Sequence, residues 1–515
     1  MDLRRAVGEA LARLSAEPGV REVEVFAALN RALLTRLNYT SHIACNGVEE
    51  PKSTEMTGLG VHAVFDGPDG RPLLGFGSEP SDLTPDGARR ALAKARQAAV
   101  HDPAFRSLPR PTGEPRALTG YHDPRLMDIT DAELVEAGWK VVSGGLRAFM
   151  ASSRLADLVP DEAGLKRLGL ILGGDVSIRQ ERIAIASSAM PEPQADDATF
   201  MSASTTAMVE ARDAKGSGGS VCTRLEHFTD EAGSEAAENA VAAIDGARVE
   251  SGDYTVVFGP QPIADLCNNL IVPSCQAGSF FSSSTPFLGR LGKPVAAAGL
   301  SIYDHGAMPG LAGSRGITCE GLPTGRTDLI KDGVLVGLLS HWYDTERLLH
   351  DPEGRQKLGV EPASAAAALR PRNGFRYDGA GRSFETTPGT SATNVVIEGR
   401  HAVPLDRLLA RVRDGLYVGR IWYTYPINGL RAGDFTCTVV GDSFIIRDGR
   451  IAAPLKANTL RINDNLTRLL GAVVGTTKDV KGTLVWGADE IVYAPTIAVT
   501  GVHADAIAGF MEGLD

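Results

Sequence analysis

The stretch VVFGPQPIADLCNNLIVPSCQAG, Val256 to Gly278, reads as a strand that turns at Gly259 and feeds a helix. Pro260 and Pro262 suit a first helical turn, where backbone N–H groups have no intrahelical partner. Ile263, Leu266, Cys267, Leu270 and Ile271 recur at i, i+3, i+4, i+7 and i+8, which predicts one apolar face packed on a sheet. Asp265, Asn268 and Asn269 then fall on the opposite face, and Pro273 is expected to end the helix. A helix laid on a sheet in mid-chain, with strands on either side of it, sets the class of the fold. The stretch also poses the functional question. Two carboxamides face outward, and amides can hydrogen-bond a peptide but neither take up a proton nor hold zinc at neutral pH.

Outward from this helix, the amino-terminal side alternates helices and strands. Leu3, Val7, Leu11 and Leu14 make an amphipathic first helix rather than the apolar run of a signal peptide. VREVEVFAAL and ALLTRLNYTS read as two strands, and GLGVHAVFDGPDGRPLLGFGSE as a hairpin turned at Gly67-Pro68-Asp69-Gly70. A helix from about Pro85 has Ser81 or Thr84 as its cap, a Pro- and Gly-rich surface excursion follows from His101, and ITDAELVEAGWKVVSGGLRAFMASS is a second helix. From Lys166 to Phe228 the pattern becomes a meander of LGLILGGDVSIRQ, ERIAIASSA, ATFMSASTTAMVEARDA and SGGSVCTRLEHFT, closed by an Ala/Glu-rich helix over Asp230 to Asp245. Beyond the helix at Val256, short strands joined by Asp-Gly turns predominate, as in DLIKDGVLVGLL and SFIIRDGRIAAP. The predicted fold is α+β in two domains: an N-terminal α/β domain over 1–247 and a C-terminal β-rich barrel or sandwich domain over 248–515, parted near Ala247.

Composition narrows the function classes. With 515 residues, 43% hydrophobic and 22% charged, the chain has the make-up of a soluble globular protein with a sizeable core. A formal charge of −11 without a Lys/Arg cluster argues against nucleic acid as partner; Arg89, Arg90, Lys94 and Arg96 read as a solvated helix face. No window approaches the length of apolar sequence that spans a membrane, and the expected compartment is the cytoplasm. Cysteines at 45, 222, 267, 275, 319 and 437 are scattered, with no CxxC, which fits neither a disulfide framework nor a zinc ribbon.

The usual catalytic signatures are missing. No His-Glu-x-x-His places two imidazoles on one helix face, and His341 and His350 are too far apart for a single-turn chelate. Gly292-Lys293 is followed by Pro294 where a phosphate loop needs Ser or Thr, GSGGS at 216–220 reads as a hairpin turn, and no G-x-S-x-G presents a serine. A Cys267 or Cys275 nucleophile with His305 or His341 is conceivable, but Cys267 belongs to the apolar stripe and there packs as an inert small hydrophobe.

The order of segments resembles the TldD/PmbA family of metallopeptidases and their partner subunits. The likeness rests on SGDYTVVFGPQPIADL and on the sixty or so residues from Gly289 to Leu348, GRLGKPVAAAGLSIYDHGAMPGLAGSRGITCEGLPTGRTDLIKDGVLVGLLSHWYDTERL. TPGTSATNVVIEG, DGLYVGRIWYTYPINGLRAGDFTCTVVGDSFIIRDGRIAAPLKANTLRINDNLTRLL and APTIAVTGV continue it. In the TldD branch this helix carries His-Glu-x-x-x-His and a downstream Cys completes the zinc site. Laid on this chain, the six positions are Asn268, Asn269, Leu270, Ile271, Val272 and Pro273, and the segment from Gly475 to Val502 holds no Cys. The resemblance thus implies the PmbA (TldE) branch, which lacks the zinc motif and pairs with a zinc-bearing TldD subunit: no cofactor in this chain, zinc in the partner, a peptide as substrate. The cleft residues it suggests are Asn268, Asn269, Arg315, Asn394 and Asp434, with turn or cap chemistry as the competing role for Asn394 and Asp434. Two other functions fit the same residues: a homodimer that binds peptide without cutting it, and an enzyme with different chemistry in the same chamber.

Overall fold

The computed structural model describes residues 2–68, 70–113, 118, 121–159, 161–378 and 381–508. Asp69 of the expected hairpin turn and part of the excursion after His101 lie outside them. The first sheet is antiparallel and seven-stranded, ordered Pro72–Pro80, Lys52–Asp66, Val20–Thr40, Leu170–Ser187, Gln194–Val209, Ala214–Cys222, with the short Gly47–Val48 also on Val20–Thr40. Strand alternation gives it two different faces. Val23, Val25, Ala27, Leu33 and Leu37 point to the helices Leu3–Leu14, Pro85–Gln97, Asp131–Ala151 and Glu231–Ala242, which cover one side. The helix Pro85–Gln97 begins as the sequence predicts, Thr84 accepting a bond from the Gly87 N–H, and Asp131–Ala151 begins with a capping box of Thr130 and Glu133 that the sequence reading does not name.

Three readings are corrected here. VREVEVFAAL and ALLTRLNYTS are one strand of 21 residues, and LGLILGGDVSIRQ and ERIAIASSA are one of 18. The polar residues at these junctions, Asn30 and Gln180-Glu181, are buried in mid-strand with internal partners, Asn30 donating to the Arg382 carbonyl at 2.7 Å and Gln180 to that of Leu126 at 2.6 Å. GSGGS is strand, not turn: a Cβ on Gly216 or Gly218 would stand 2.1 Å from the Ala240 nitrogen or 2.2 Å from the Ala232 carbonyl oxygen, so glycine lets the helix lie on the strand.

The second sheet has thirteen strands and does not close into the expected barrel. Its long strand Ile491–Ala506 runs parallel to Asn394–Gly399 and antiparallel to Gly252–Phe258, and its ends also pair Leu460–Asn465 and Val473–Thr483. Four partners on one strand make a branched, open sheet. Asp332-Gly333 and Asp448-Gly449, all at positive φ, turn the hairpins Arg326–Lys331/Val334–Leu335 and Phe444–Arg447/Arg450–Pro454. The main core lies between this sheet and the helix that starts at Pro260.

The free face of the first sheet is the docking surface for the second half of the chain. Phe26, Ala28, Ile183 and Ile185 pack on Ile317, Cys319, Phe375 and Phe384. Around them, fully buried cations meet buried acids: Arg376 with Glu24, Arg315 Nε with Glu181 at 2.7 Å, Arg382 with Asp196 at 2.7 Å. The whole is α+β, with helices gathered on one side of an antiparallel sheet.

Candidate functional site

The helix of the opening stretch begins at Pro260, with Gly259 before it, and runs to Ser274, but it is not uniform. Over Cys267–Ile271 it widens into a π turn, in which the Val272 N–H donates to the Cys267 carbonyl five residues back. Such turns bring residues five apart near one another on one face and recur at functional sites. Ile263, Leu266, Cys267, Leu270 and Ile271 are buried, as their spacing predicts. Asn268, Asn269 and Pro273 are half-buried on the side away from this stripe. Pro273 does not stop the helix; it sits in the last turn, where the widened backbone has already displaced the regular ladder. Asp265 is not on the open face either. It is buried, which pushes its carboxyl up, an effect that the nearby Thr424 and Asn269 partly offset.

The two amides differ in what they are free to do. Asn269 Nδ2 donates to the Asp265 carbonyl at 3.0 Å and carboxylate at 3.2 Å, closing its own helical turn. The Asn268 side chain has no partner among the described residues and keeps a donor and an acceptor for a ligand. Gln261, a turn earlier, makes a two-way bond with the backbone of Ile421, at 3.0 and 3.3 Å, and so moors the strand Arg420–Pro426 beside the helix.

Below the helix lie acids that sequence reasoning missed. Glu490 is 6% exposed and its Oε1 has no hydrogen-bond partner; burial pushes its carboxyl up to about 7, with Asp489 and Asp304 adding to the shift. Asp304 accepts from Asn373 and Thr393 at 2.7 Å each, yet burial still raises it to about 6. Past the helix, His341 Nδ1 meets Thr390 Oγ1 at 2.9 Å and Asp344 at 3.2 Å, and Asp344 is clamped by Arg347 at 2.6 Å. Glu490 and Asp304 lie far apart in sequence, so no local spacing announces them, whereas His341, Asp344 and Arg347 follow one another at intervals of three.

The other predicted cleft residues are placed elsewhere. Arg315 lies in the buried ion-pair layer between the sheets and also donates to the Ser314 carbonyl at 2.9 Å. Asn394 is fully buried, accepting from the Gly313 N–H at 2.8 Å and donating to the His305 carbonyl and Ser314 Oγ, so it and Arg315 meet at one loop. Asp434 accepts from Asn465 at 2.9 Å and Asn428 at 3.2 Å, which hold its carboxyl below the usual range. Only Asn268, Asn269 and Pro273 are gathered at the helix face. That donor set does not fit zinc, which takes thiolate, imidazole or carboxylate. Among the described residues no group of three or more His, Cys, Asp and Glu could hold a metal ion. The thiols nearest in sequence are protonated by burial, Cys275 pushed up to about 12 and Cys267 well above the ordinary thiol value.

Residues 251–505 match the model of the PmbA/TldA metallopeptidase C-terminal domain. The chain is 30% identical over 230 residues to Metalloprotease slr0863 of Synechocystis, covering 44% of this chain and 43% of that one. It is 28% identical over 202 residues to Metalloprotease PmbA of Escherichia coli O157:H7, covering 38% and 41%. It thus spans less than half the length of these curated relatives. The solved structure of TldE from Thermococcus kodakarensis has the same fold, with a TM-score of 0.74 at 17% identity over 94% of this chain and 97% of that one. Through its domain at residues 251–505, the chain belongs to the TldD/PmbA family of metallopeptidase-related proteins.

Proposed function

We propose that this chain is the zinc-free, TldE/PmbA-like subunit of a heterodimeric TldD/TldE-type metallopeptidase that processes peptides in the cytoplasm. The observation that carries the reading is the half-buried face of Asn268, Asn269 and Pro273, where the zinc-bearing branch has two imidazoles and a carboxylate. Zinc held by the partner subunit supplies the Lewis acid and the activated water. This chain's part is to bind and confine. The open amide of Asn268 is suited to the backbone of an extended peptide, which offers both donors and acceptors and tolerates many sequences. Asn269, tied to Asp265, keeps the helix face in place behind it. A cysteine enzyme in the same chamber is disfavoured, because Cys267 and Cys275 are buried thiols rather than thiolates.

The test compares the purified chain alone with the chain plus the zinc-bearing relative from the same cell, on an unstructured peptide, with metal content measured in parallel. The expected result is no stoichiometric zinc and no cleavage alone, and cleavage once the relative is added. One tightly bound zinc per chain, or turnover by the isolated chain, would overturn the reading.

A further inference from the structure

Where the helix Trp342–Leu349 begins, a cluster of buried charges falls one proton short of balance. Its N-cap residue, His341, is 7% exposed and makes no side-chain cap bond. The cap comes instead from Glu320, 3% exposed, whose two carboxylate oxygens both accept from the Trp342 N–H at 3.1 Å. A Cβ on Gly374 would stand 2.1 Å from Glu320 Oε2, so a glycine leaves the room in which this carboxyl is seated. The arginines nearby are committed to other acids, Arg376 to Glu24 and Arg347 to Asp344 at 2.6 Å. Glu24, Glu320 and Asp344 thus bring three negative charges against the two positive ones of Arg347 and Arg376, and His341 is the titratable group between Glu320 and Asp344. With a neutral imidazole the cluster carries a dry negative charge; a proton on His341 or on Glu320 cancels it.

The charges that face the cluster from neighbouring elements leave this count as it is. Arg315 and Arg382 are answered by Glu181 and Asp196, and Lys357, beside Phe281, by Asp351 at 2.7 Å. His62, opposite Glu24 in the ladder, is held neutral at about 3 by burial and by Arg376, and Asp102 lies at the half-buried edge, accepting from the Tyr343 hydroxyl at 2.7 Å. The same helix start ties together distant parts of the chain. Trp342 Nε1 donates to the Ser107 carbonyl at 2.9 Å, and Tyr343 packs on Phe105 and Leu108. On the other side, Asp344 Oδ2 lies 2.9 Å from where a Cβ on Gly278 would stand, and the Arg347 guanidinium lies over the Phe281 ring. Thr390, which meets both His341 and Asp344, accepts through its carbonyl from Gln276 Nε2 at 3.2 Å. Gln276 and the short helix Ala277–Phe281 follow directly on the Asn268 helix. We infer that Glu320, His341 and Asp344 form a proton-operated clasp: with the proton in place Trp342–Leu349 is seated on residues 102–108 and on Ala277–Phe281, and its loss loosens both seats. Both titrating partners give the same sign. Burial pushes Glu320 up to about 7; burial opposes the His341 imidazolium, but the Asp344 hydrogen bond and the Glu320 and Asp344 charges together raise it. Free chains hold these protons at about 4.3 and 6.5, so the closed clasp binds them more tightly, is firmest in acid and loosens as pH rises through neutrality.

The clasp needs no second subunit, so the test uses the full chain alone and does not depend on the heterodimer reading. Hydrogen–deuterium exchange is measured at about pH 6 and pH 8.5, each rate divided by that of an unstructured peptide at the same pH. Protection of residues 102–108, 277–281 and 342–349 is expected to fall by about tenfold or more between the two, while that of the helix Glu231–Ala242 holds. Glu320→Gln keeps an acceptor for the Trp342 N–H and removes the charge, so its protection at the higher pH should match that of wild type at the lower. The His341 ring-proton signal in NMR, assigned by its absence from His341→Gln, should titrate above about 6.5 in wild type and lower in Glu320→Gln. Wild-type protection that ignores pH overturns the inference. So does a Glu320→Gln chain that loses protection equally at both pH values and keeps the wild-type slope, which would make Glu320 a cap and nothing more. Should that variant not fold, a wild-type His341 titrating at or below about 6.5 is enough to sink the clasp.

Discussion

Cys267, Cys275, Cys319 and Cys437 are buried, and burial raises each thiol far above the range in which thiolate forms at neutral pH. Cys222 is half-buried and pushed up to about 11, whereas Cys45 is exposed. A thiol reagent should therefore react quickly with Cys45 in the native protein, and Cys45→Ser should abolish that fast phase, as followed by absorbance with a chromogenic disulfide. Glu490 gives a prediction of opposite character. Its folded value of about 7 lies above the roughly 4.3 of an unfolded chain, so the folded protein holds this proton more tightly. The stability it contributes is intact below about pH 4, declines between about pH 4 and 7, and is level above that. Glu490→Gln, which mimics the protonated form, should match wild type at pH 4 and exceed it at pH 8 by roughly 3 kcal/mol in urea unfolding.

At the scale of elements, the π turn at Cys267–Ile271 is what gathers Asn268 and Pro273 on one face. If so, Asn268→His combined with Pro273→His should gain a melting-temperature increase with added Zn²⁺ that a chelator reverses. Asn268→His with Val272→His should not, because Val272 is buried in the core and cannot reach the same ion. The apolar stripe, the Thr84 cap, the Asp-Gly hairpins and the α+β class were legible in the sequence because each depends on neighbours a few residues away. The π turn was not: a proline reads as a stop, and only the packed structure shows the helix widening to pass it. Likewise the strand junctions read at Asn30 and between Gln180 and Glu181 hid continuous strands, because the partners of these residues, Arg382, Leu126 and Arg315, come from distant parts of the chain. Glu490 was illegible for the same reason, and the branched sheet could not be told from a barrel by strand lengths alone.

For the molecule as a whole, the two halves are joined by a layer in which buried charges are matched across the seam. Removing one member leaves its partner charged and dry, which costs about 3–5 kcal/mol, whereas removing both costs far less. Arg376→Met should thus lower the urea midpoint strongly, and Glu24→Gln added to it should restore most of the loss. Another consequence follows from the strand Ile491–Ala506, which lies at the centre of the second sheet yet is the last of its strands in chain order. During translation, Asn394–Gly399 and Gly252–Phe258 wait with open edges until this segment leaves the ribosome, and both flank it. The carboxy-terminal half must therefore assemble after its synthesis rather than along with it, exposed meanwhile to aggregation that chaperones have to hold off.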